Sequence, residues 1–326
     1  MAIQGTSKSL VPSLLGAAAL SLGVAGCPPH EYVMIQTGIF PKPFIYHNTL
    51  QWTREGSASI NTLHDYEIAR GIAMSGLGQL EGLHHLVGED KNGLHMLNRA
   101  WAGVAFGFMD DDREEALERK DEVMAEYHAS RARAACKRAR YYGEQLVRER
   151  EDGYDAALKN AQTLQAWLIE NYTDSDLAEE LYWLGFSIVG TVSFDRENPA
   201  AVAELWVGVE ILNHVVRLDE TVERGMAHTV LGAYHARSAM AELDEAKKHF
   251  DRALQIQGGK VLNTQVSMAQ TYYCMKRDKQ SYTKTLEAVL AAGDPLPEAR
   301  LQNVIAERRA RRYLGNKMWQ EECGFD

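Results

Sequence analysis

The chain has 326 residues, 45% of them hydrophobic, with 35 basic residues against 45 acidic ones and a net charge of -10. That length makes one large domain or two ordinary ones, with ample material for a core. The acidic balance excludes a general nucleic-acid surface, and the composition excludes both a disordered chain and a multi-span membrane protein.

Residues 1–26 carry a single charge, Lys8, followed by an apolar, Ala-rich run from Leu10 to Val24. That run is short for a membrane span, which takes about 20 apolar residues, and reads as the hydrophobic region of a secretory signal. It ends in Val24-Ala25-Gly26-Cys27, which looks like a bacterial lipobox. The expectation is a signal peptide over 1–26, removed on export, and Cys27 as the acylated first residue of the mature chain. Acyl chains there would give a firm membrane anchor, since a single chain holds only marginally. Pro28 stands where some inner-membrane lipoproteins carry Asp, which favours the outer membrane. Residues 27–56, with Pro28, Pro29, Pro41 and Pro43, are expected to be a loop-like tether.

From residue 57 to 326 the expectation is an all-α, TPR-like helical domain of stacked antiparallel helix pairs. Ile68, Ile72, Leu80 and Leu83 set one apolar stripe, and Leu94, Leu97, Trp101, Val104 and Phe108 another, at spacings of three and four. Arg113 to Glu151 is densely charged and predicts one long helix or two. Gly153, Asp174, Asn198-Pro199, Glu220-Thr221, Gly258-Gly259, Asp278 and Asp294-Pro295 punctuate shorter ones. No segment shows a strand-like alternation.

A repeat is visible in this helical region. Leu231-Gly232 is followed by Ala246-x3-Phe250-x2-Ala253, a tetratricopeptide pattern in which small residues let two helices approach and the aromatic fills the gap. The next unit places Ala269 and Tyr272 on its first helix and Ser281-x3-Thr285-x2-Ala288 on its second. Leu184-Gly185 with the helix from Pro199 to Leu218 is a more distant echo.

Candidate chemistry is sparse. Glu81-Gly82-Leu83-His84 has the ExxH spacing of a di-iron ligand pair, but no second copy exists to complete such a site, so no metal or other cofactor is expected. Asp110-Asp111-Asp112 does not continue as a calcium loop, because Glu115 stands where glycine is needed; it is expected to be the negative start of a helix. Glu307-Arg308-Arg309-Ala310-Arg311-Arg312, the densest basic run, spreads around a helix and reads as an ion-pair or partner surface. The four cysteines, Cys27, Cys136, Cys274 and Cys323, form no CxxC pair, which argues against structural zinc. With Cys27 set aside, at most one disulfide can form among the other three. No nucleophile triad, phosphate loop or dinucleotide fingerprint occurs, so an enzyme is the least favoured class. Trp101, Trp167, Trp183, Trp206 and Tyr182 are expected mostly in the core. Tyr234 and His235, on the first helix of the clearest repeat, and Arg308 and Arg311, in the basic run, are the candidate ligand or partner surface.

The last third, with Gly258-Gly259-Lys260, Asp278 and the run Arg300, Leu301, Asn303, Ile305, Ala306, Arg308, Arg309 and Ala310, resembles the T-component (TatT) family of TRAP-type transporters. Glu81-Gly82-Leu83, the helix from Trp101 to Phe108 and the lipobox are similar as well. The resemblance implies a periplasm-facing lipoprotein with TPR-like repeats that assembles as a homotrimer. It implies docking to a solute-binding P component and assistance in the uptake of a small, hydrophobic organic ligand. The stretch Ala236 to Leu243 is short and lacks the Gly/Pro-rich loop common in the family, which points to altered specificity. The competing reading is a TPR scaffold lipoprotein for cell-envelope or secretion-system assembly.

Overall fold

The computed structural model describes residues 32–35, 38–41, 58–88, 90–237 and 242–325. Cys27 and the signal region lie outside them. The chain divides into two compact units, Met1–Thr49 and Leu50–Asp326.

The first unit contains a hairpin within the stretch expected to be loop-like. β1 (Tyr32–Ile35) pairs antiparallel with β2 (Gly38–Pro41), with Tyr32 opposite Pro41 and Ile35 opposite Gly38. Tyr, Val, Ile and Phe suit extended backbone, and Pro41 sits at a strand end, where its missing N–H does least harm.

The second unit is all-α. Its helices are α1 (Tyr66–Val87), α2 (Lys91–Val104), α3 (Asp110–Glu118), α4 (Glu122–Arg150), α5 (Tyr154–Ala157), α6 (Ala161–Asn171), α7 (Ala178–Ser193) and α8 (Pro199–Val202). There follow α9 (Leu205–Asp219), α10 (Met226–Arg237), α11 (Leu243–Gln257), α12 (Leu262–Met268), α13 (Lys279–Ala291), α14 (Arg300–Gly315) and α15 (Lys317–Glu322). The starts are written in the sequence: Asp65, Asp90, Asp121, Asn160 and Asp278 each accept a hydrogen bond from a backbone N–H of the first turn. The charged stretch after Arg113 is two helices, broken at Lys120, whose φ is 59°.

The repeat at Leu231-Gly232 is a packed pair, α10 against α11. Ala246, Phe250 and Ala253 are all fully buried. A Cβ on Gly232 would stand 3.0 Å from the Phe250 ring, so the glycine lets the ring approach the helix closely. The more distant echo is also a pair, with Gly185 of α7 against Leu212 and Gly208 of α9.

The next unit departs from its expected register. Ser281 and Thr285 are only half-buried and Ala288 is exposed; the buried stripe of α13 is Tyr282, Leu286 and Val289, one residue later. The preceding helix contains a π turn, Ala269–Tyr273. A π turn adds one residue to the helix, so a count carried across it lands one position short.

A second π turn, Ala105–Met109, joins α2 to α3 without a break. The last long helix, α14, returns to the start of the unit and packs on α1, α3 and the 3-10 turn Ala58–Thr62. There Arg300 donates to the Thr62 carbonyl at 2.8 Å, and the Arg308 guanidinium stacks 4.0 Å over the Tyr66 ring.

Candidate functional site

The acidic run does not begin a helix. Met109 and Val104 are both helical, so Asp110 continues a helix already under way and there are no orphan N–H groups for it to serve. Its carboxylates meet the basic run of α14. Arg312 donates to Asp111 at 3.0 Å and to Glu114 at 2.6 Å; Arg308 donates to Asp111 at 2.9 Å; Arg309 donates to Asp110 at 2.8 Å. The Tyr313 hydroxyl donates to Glu114 at 2.6 Å. Asp112, turned about 100° further around the helix, instead accepts two bonds from Arg70 of α1, at 2.7 and 2.6 Å.

Burial opposes ionisation of Asp111, but Arg312, Arg309 and Arg308 outweigh it and hold its carboxyl below the ordinary range. At Glu114 burial wins and the carboxyl is pushed up. This network locks the last helix to the first third of the unit.

Beside the lock lies a group of arginines of another kind. Arg113 of α3 is paired, donating to Asp110 at 2.8 Å. Arg237, the last residue of α10, donates to the neutral amide oxygen of Gln270. Arg196, just after α7, has no hydrogen bond or ion pair among the described residues.

Gln270 lies in the π turn one helical turn before Cys274, and Cys274 is bonded to Cys323, the neighbour of Glu322. Leu117, one turn beyond Arg113, packs in the same cluster as Cys323 and Trp319. Phe194, two residues before Arg196, has its ring 5.2 Å from that of Phe106 in the π turn that leads into α3.

Arg196 and Arg237 are both exposed. Yet desolvation by the surrounding protein lowers the pKa of Arg196, and the like charges of Arg237 and Arg113 lower it further. Desolvation likewise lowers that of Arg237, with Arg113 adding to it and the acidic groups of α3 pulling the other way. Desolvation raises the carboxyl of Glu322, opposed by Arg113, Arg237 and Arg196, and it pairs with none of them among the described residues.

A histidine stack stands on the α10–α11 pair. His228 and His249 face each other through their Nδ1 atoms at 2.8 Å, and the rings of His249 and His235 stack 5.5 Å apart. Only one of two facing Nδ1 atoms can carry the shared proton. Burial, then His228 and His235, pull His249 down to about 4.

A family model, described as TRAP transporter T-component, matches residues 62–318. The chain belongs to the TRAP transporter T-component family. No curated protein matches it.

Two separated pieces of the T-component resemblance meet in space. Asn303 of α14 is buried; its Oδ1 accepts from the Leu262 N–H at 2.9 Å and its Nδ2 donates to the Lys260 carbonyl at 3.0 Å. It thus pins the Gly258-Gly259-Lys260 turn, where both glycines have positive φ. The short stretch after Ala236 falls partly outside the described residues, as does Cys27 entirely.

The candidate surface residues of this T component fall in separate places. Tyr234 is half-buried against the core around α7 and α9, and its ring meets that of His235 edge-on. His235 bonds Glu242 at 2.7 Å. Arg308 is held in the carboxylate lock, while Arg311 is 64% exposed and, among the described residues, pairs only with Glu307 on its own helix. No described contact joins the first two residues to the last two. Glu81 is taken up structurally, accepting from Trp101, Arg138 and Tyr142 at 2.7, 2.7 and 2.5 Å. Among the described residues, no group of three or more His, Cys, Asp or Glu is placed to hold a metal ion. Sequence reasoning missed Arg113, Arg196, Arg237, Gln270 and Glu322. They lie on different helices, with no common spacing to connect them.

Proposed function

We propose that this T component is a lipid-anchored, periplasm-facing accessory subunit of a TRAP-type transporter. In this reading it assembles as a homotrimer held to the membrane, on the outer-membrane side by preference, through acylated Cys27. It docks a solute-binding P component and assists uptake of a small organic ligand, and no catalytic step is assigned to it. The family match over residues 62–318 carries this reading. The Cys274–Cys323 disulfide supports export, since such bonds persist in oxidising compartments. Tyr234, His235, Arg308 and Arg311 are the proposed docking residues, of which Arg311 is the most accessible.

Affinity purification from the native envelope is the direct test. Recovery of a solute-binding protein, lost when Arg311 and Tyr234 are both changed to Ala, is the expected result. A large envelope assembly with no solute-binding protein would favour the scaffold reading instead. For the anchor, Cys27→Ser is expected to release the protein from the membrane fraction or leave it unprocessed. A processed and still membrane-bound variant would remove that part of the proposal.

A further inference from the structure

Helix α1 carries an outward face with no partner among the described residues. Ile68, Ile72 and Leu86 are 56%, 50% and 64% exposed. At 100° per residue these three fall within about 40° of one another, on the side away from buried Tyr66, Leu77 and Leu80. From Ile68 to Leu86 the exposed positions of this helix hold no Lys, Arg, Asp or Glu. A quarter of the whole chain is charged, at 25%, so an uncharged outer face of this length calls for a reason. Large side chains kept while charge is lost is the composition of an interface core, not of a solvated surface.

Beside the aliphatic side chains runs a line of small residues: Gly71, Ser75, Gly78 and Gly82, all exposed. Glycine is the poorest helix former after proline. A Cβ on Gly71, Gly78 or Gly82 would meet no atom within 4 Å, so packing among the described residues does not require these glycines. Glycine in such a place lets a second backbone come close. The steps of four, three and four residues follow the 3.5-residue repeat of a seam between two helices.

That spacing selects the partner, because it reads the same from either end. An antiparallel second copy that sets Ser75 against Gly78 also sets Gly71 against Gly82, on both sides of a two-fold axis. This is the self-complementarity that an isologous interface requires. The helix ends agree: Glu67 lies in the first turn and His85 in the last. In the antiparallel pair the acidic end of each copy meets the histidine end of the other, and the helix dipoles oppose. A different protein has no need to match a stripe that is symmetric about its middle. A lipid surface calls for the Lys and Arg that interfacial helices carry, and Arg70 of this helix is taken up by Asp112 at 2.7 and 2.6 Å.

We propose that two copies of this chain pair antiparallel through α1, glycine stripe against glycine stripe, with Ile68, Ile72 and Leu86 of each copy closing the edges of the seam. The pair goes beyond the trimer reading and does not rest on it: combined with a trimer it gives a hexamer, and without one a dimer.

Native mass spectrometry of the full chain with Cys27→Ser reads the state directly, and an even-numbered assembly is expected. Gly78→Gln puts a long side chain at the centre of the seam while favouring the helix itself. It should halve the mass, with helix content by circular dichroism retained. Arg311→Ala, on α14, should leave the mass unchanged. For the register, co-expressed Ser75→Cys and Gly78→Cys chains should form a disulfide-linked pair in higher yield than either variant alone, and Ile68→Cys with Gly78→Cys should form none.

A monomer or a trimer for the unaltered chain, or an unchanged mass in Gly78→Gln, would overturn the proposal. A higher yield from Ser75→Cys alone would overturn the antiparallel register. A monomeric chain that recovers a solute-binding protein only while Gly78 is intact would overturn it as well, and would assign the face to that partner.

Discussion

Reduction of the Cys274–Cys323 bond is the perturbation with the most direct magnitude. The bond closes a loop of 49 residues in sequence and joins the end of α15 to the helix that carries the second π turn. In the chain-entropy treatment a loop of that length restrains the unfolded state by about 4 kcal/mol. For a domain of this size that corresponds to a fall in melting temperature of roughly 6–10 °C. The assay is a thermal melt followed by circular dichroism, with and without a phosphine reductant, on the Cys27→Ser chain. Thiol titration under denaturing conditions supplies the control. Cys136 is the only free cysteine among the described residues, so one thiol should titrate before reduction and three after. Three thiols with a melting temperature unchanged within about 2 °C would refute the reasoning, because the restraint would then be absent from the unfolded state. The Cys323→Ser variant should reproduce the reduced protein, since Cys323 otherwise packs with Trp319 and Phe325 and loses little besides the bond.

Three further outcomes are expected. Asp111→Asn should destabilise the chain by about 3–5 kcal/mol in urea unfolding, because it strips a buried partner from Arg312, whose side chain is 5% exposed and cannot turn to water. His249 has a folded pKa of about 4, below its unfolded value of about 6.5. The stability linked to the neutral ring is therefore full above 6.5 and is lost as pH falls from there toward 4; His249→Phe should flatten that part of the curve, and a ring-proton titration by NMR should give a midpoint near 4. Asn303→Ala should cost about 1–3 kcal/mol by leaving the Leu262 N–H and the Lys260 carbonyl unpaired, seen as a lower urea midpoint with an unchanged slope.

Much of the fold was legible because helices announce themselves locally. Asp278 caps the helix that follows the break read at it, and the Ala246, Phe250, Ala253 stripe is buried as its spacing demands. The hairpin in the tether escaped because four-residue strands are too short to show an alternation.

Ile68 and Ile72, expected in an apolar stripe, are exposed, at 56% and 50%; the π turns account for two other misreadings. Asp110-Asp111-Asp112 looks like a helix start because acidic residues favour that place, and nothing in Ala105–Met109 advertises that the helix runs straight through. Ser281-x3-Thr285-x2-Ala288 looks like a repeat face because the count is right, and one residue added at Ala269–Tyr273 moves the face to Tyr282, Leu286 and Val289. An inserted residue turns everything after it by about 100° relative to what precedes it. At α3 this is the difference between carboxylates facing solvent and carboxylates facing Arg308, Arg309 and Arg312. Its counterpart places Gln270 against Arg237. Ideal α geometry at Ala105–Met109 would put those carboxylates on another face, so the irregularity and the carboxylate lock have one physical origin.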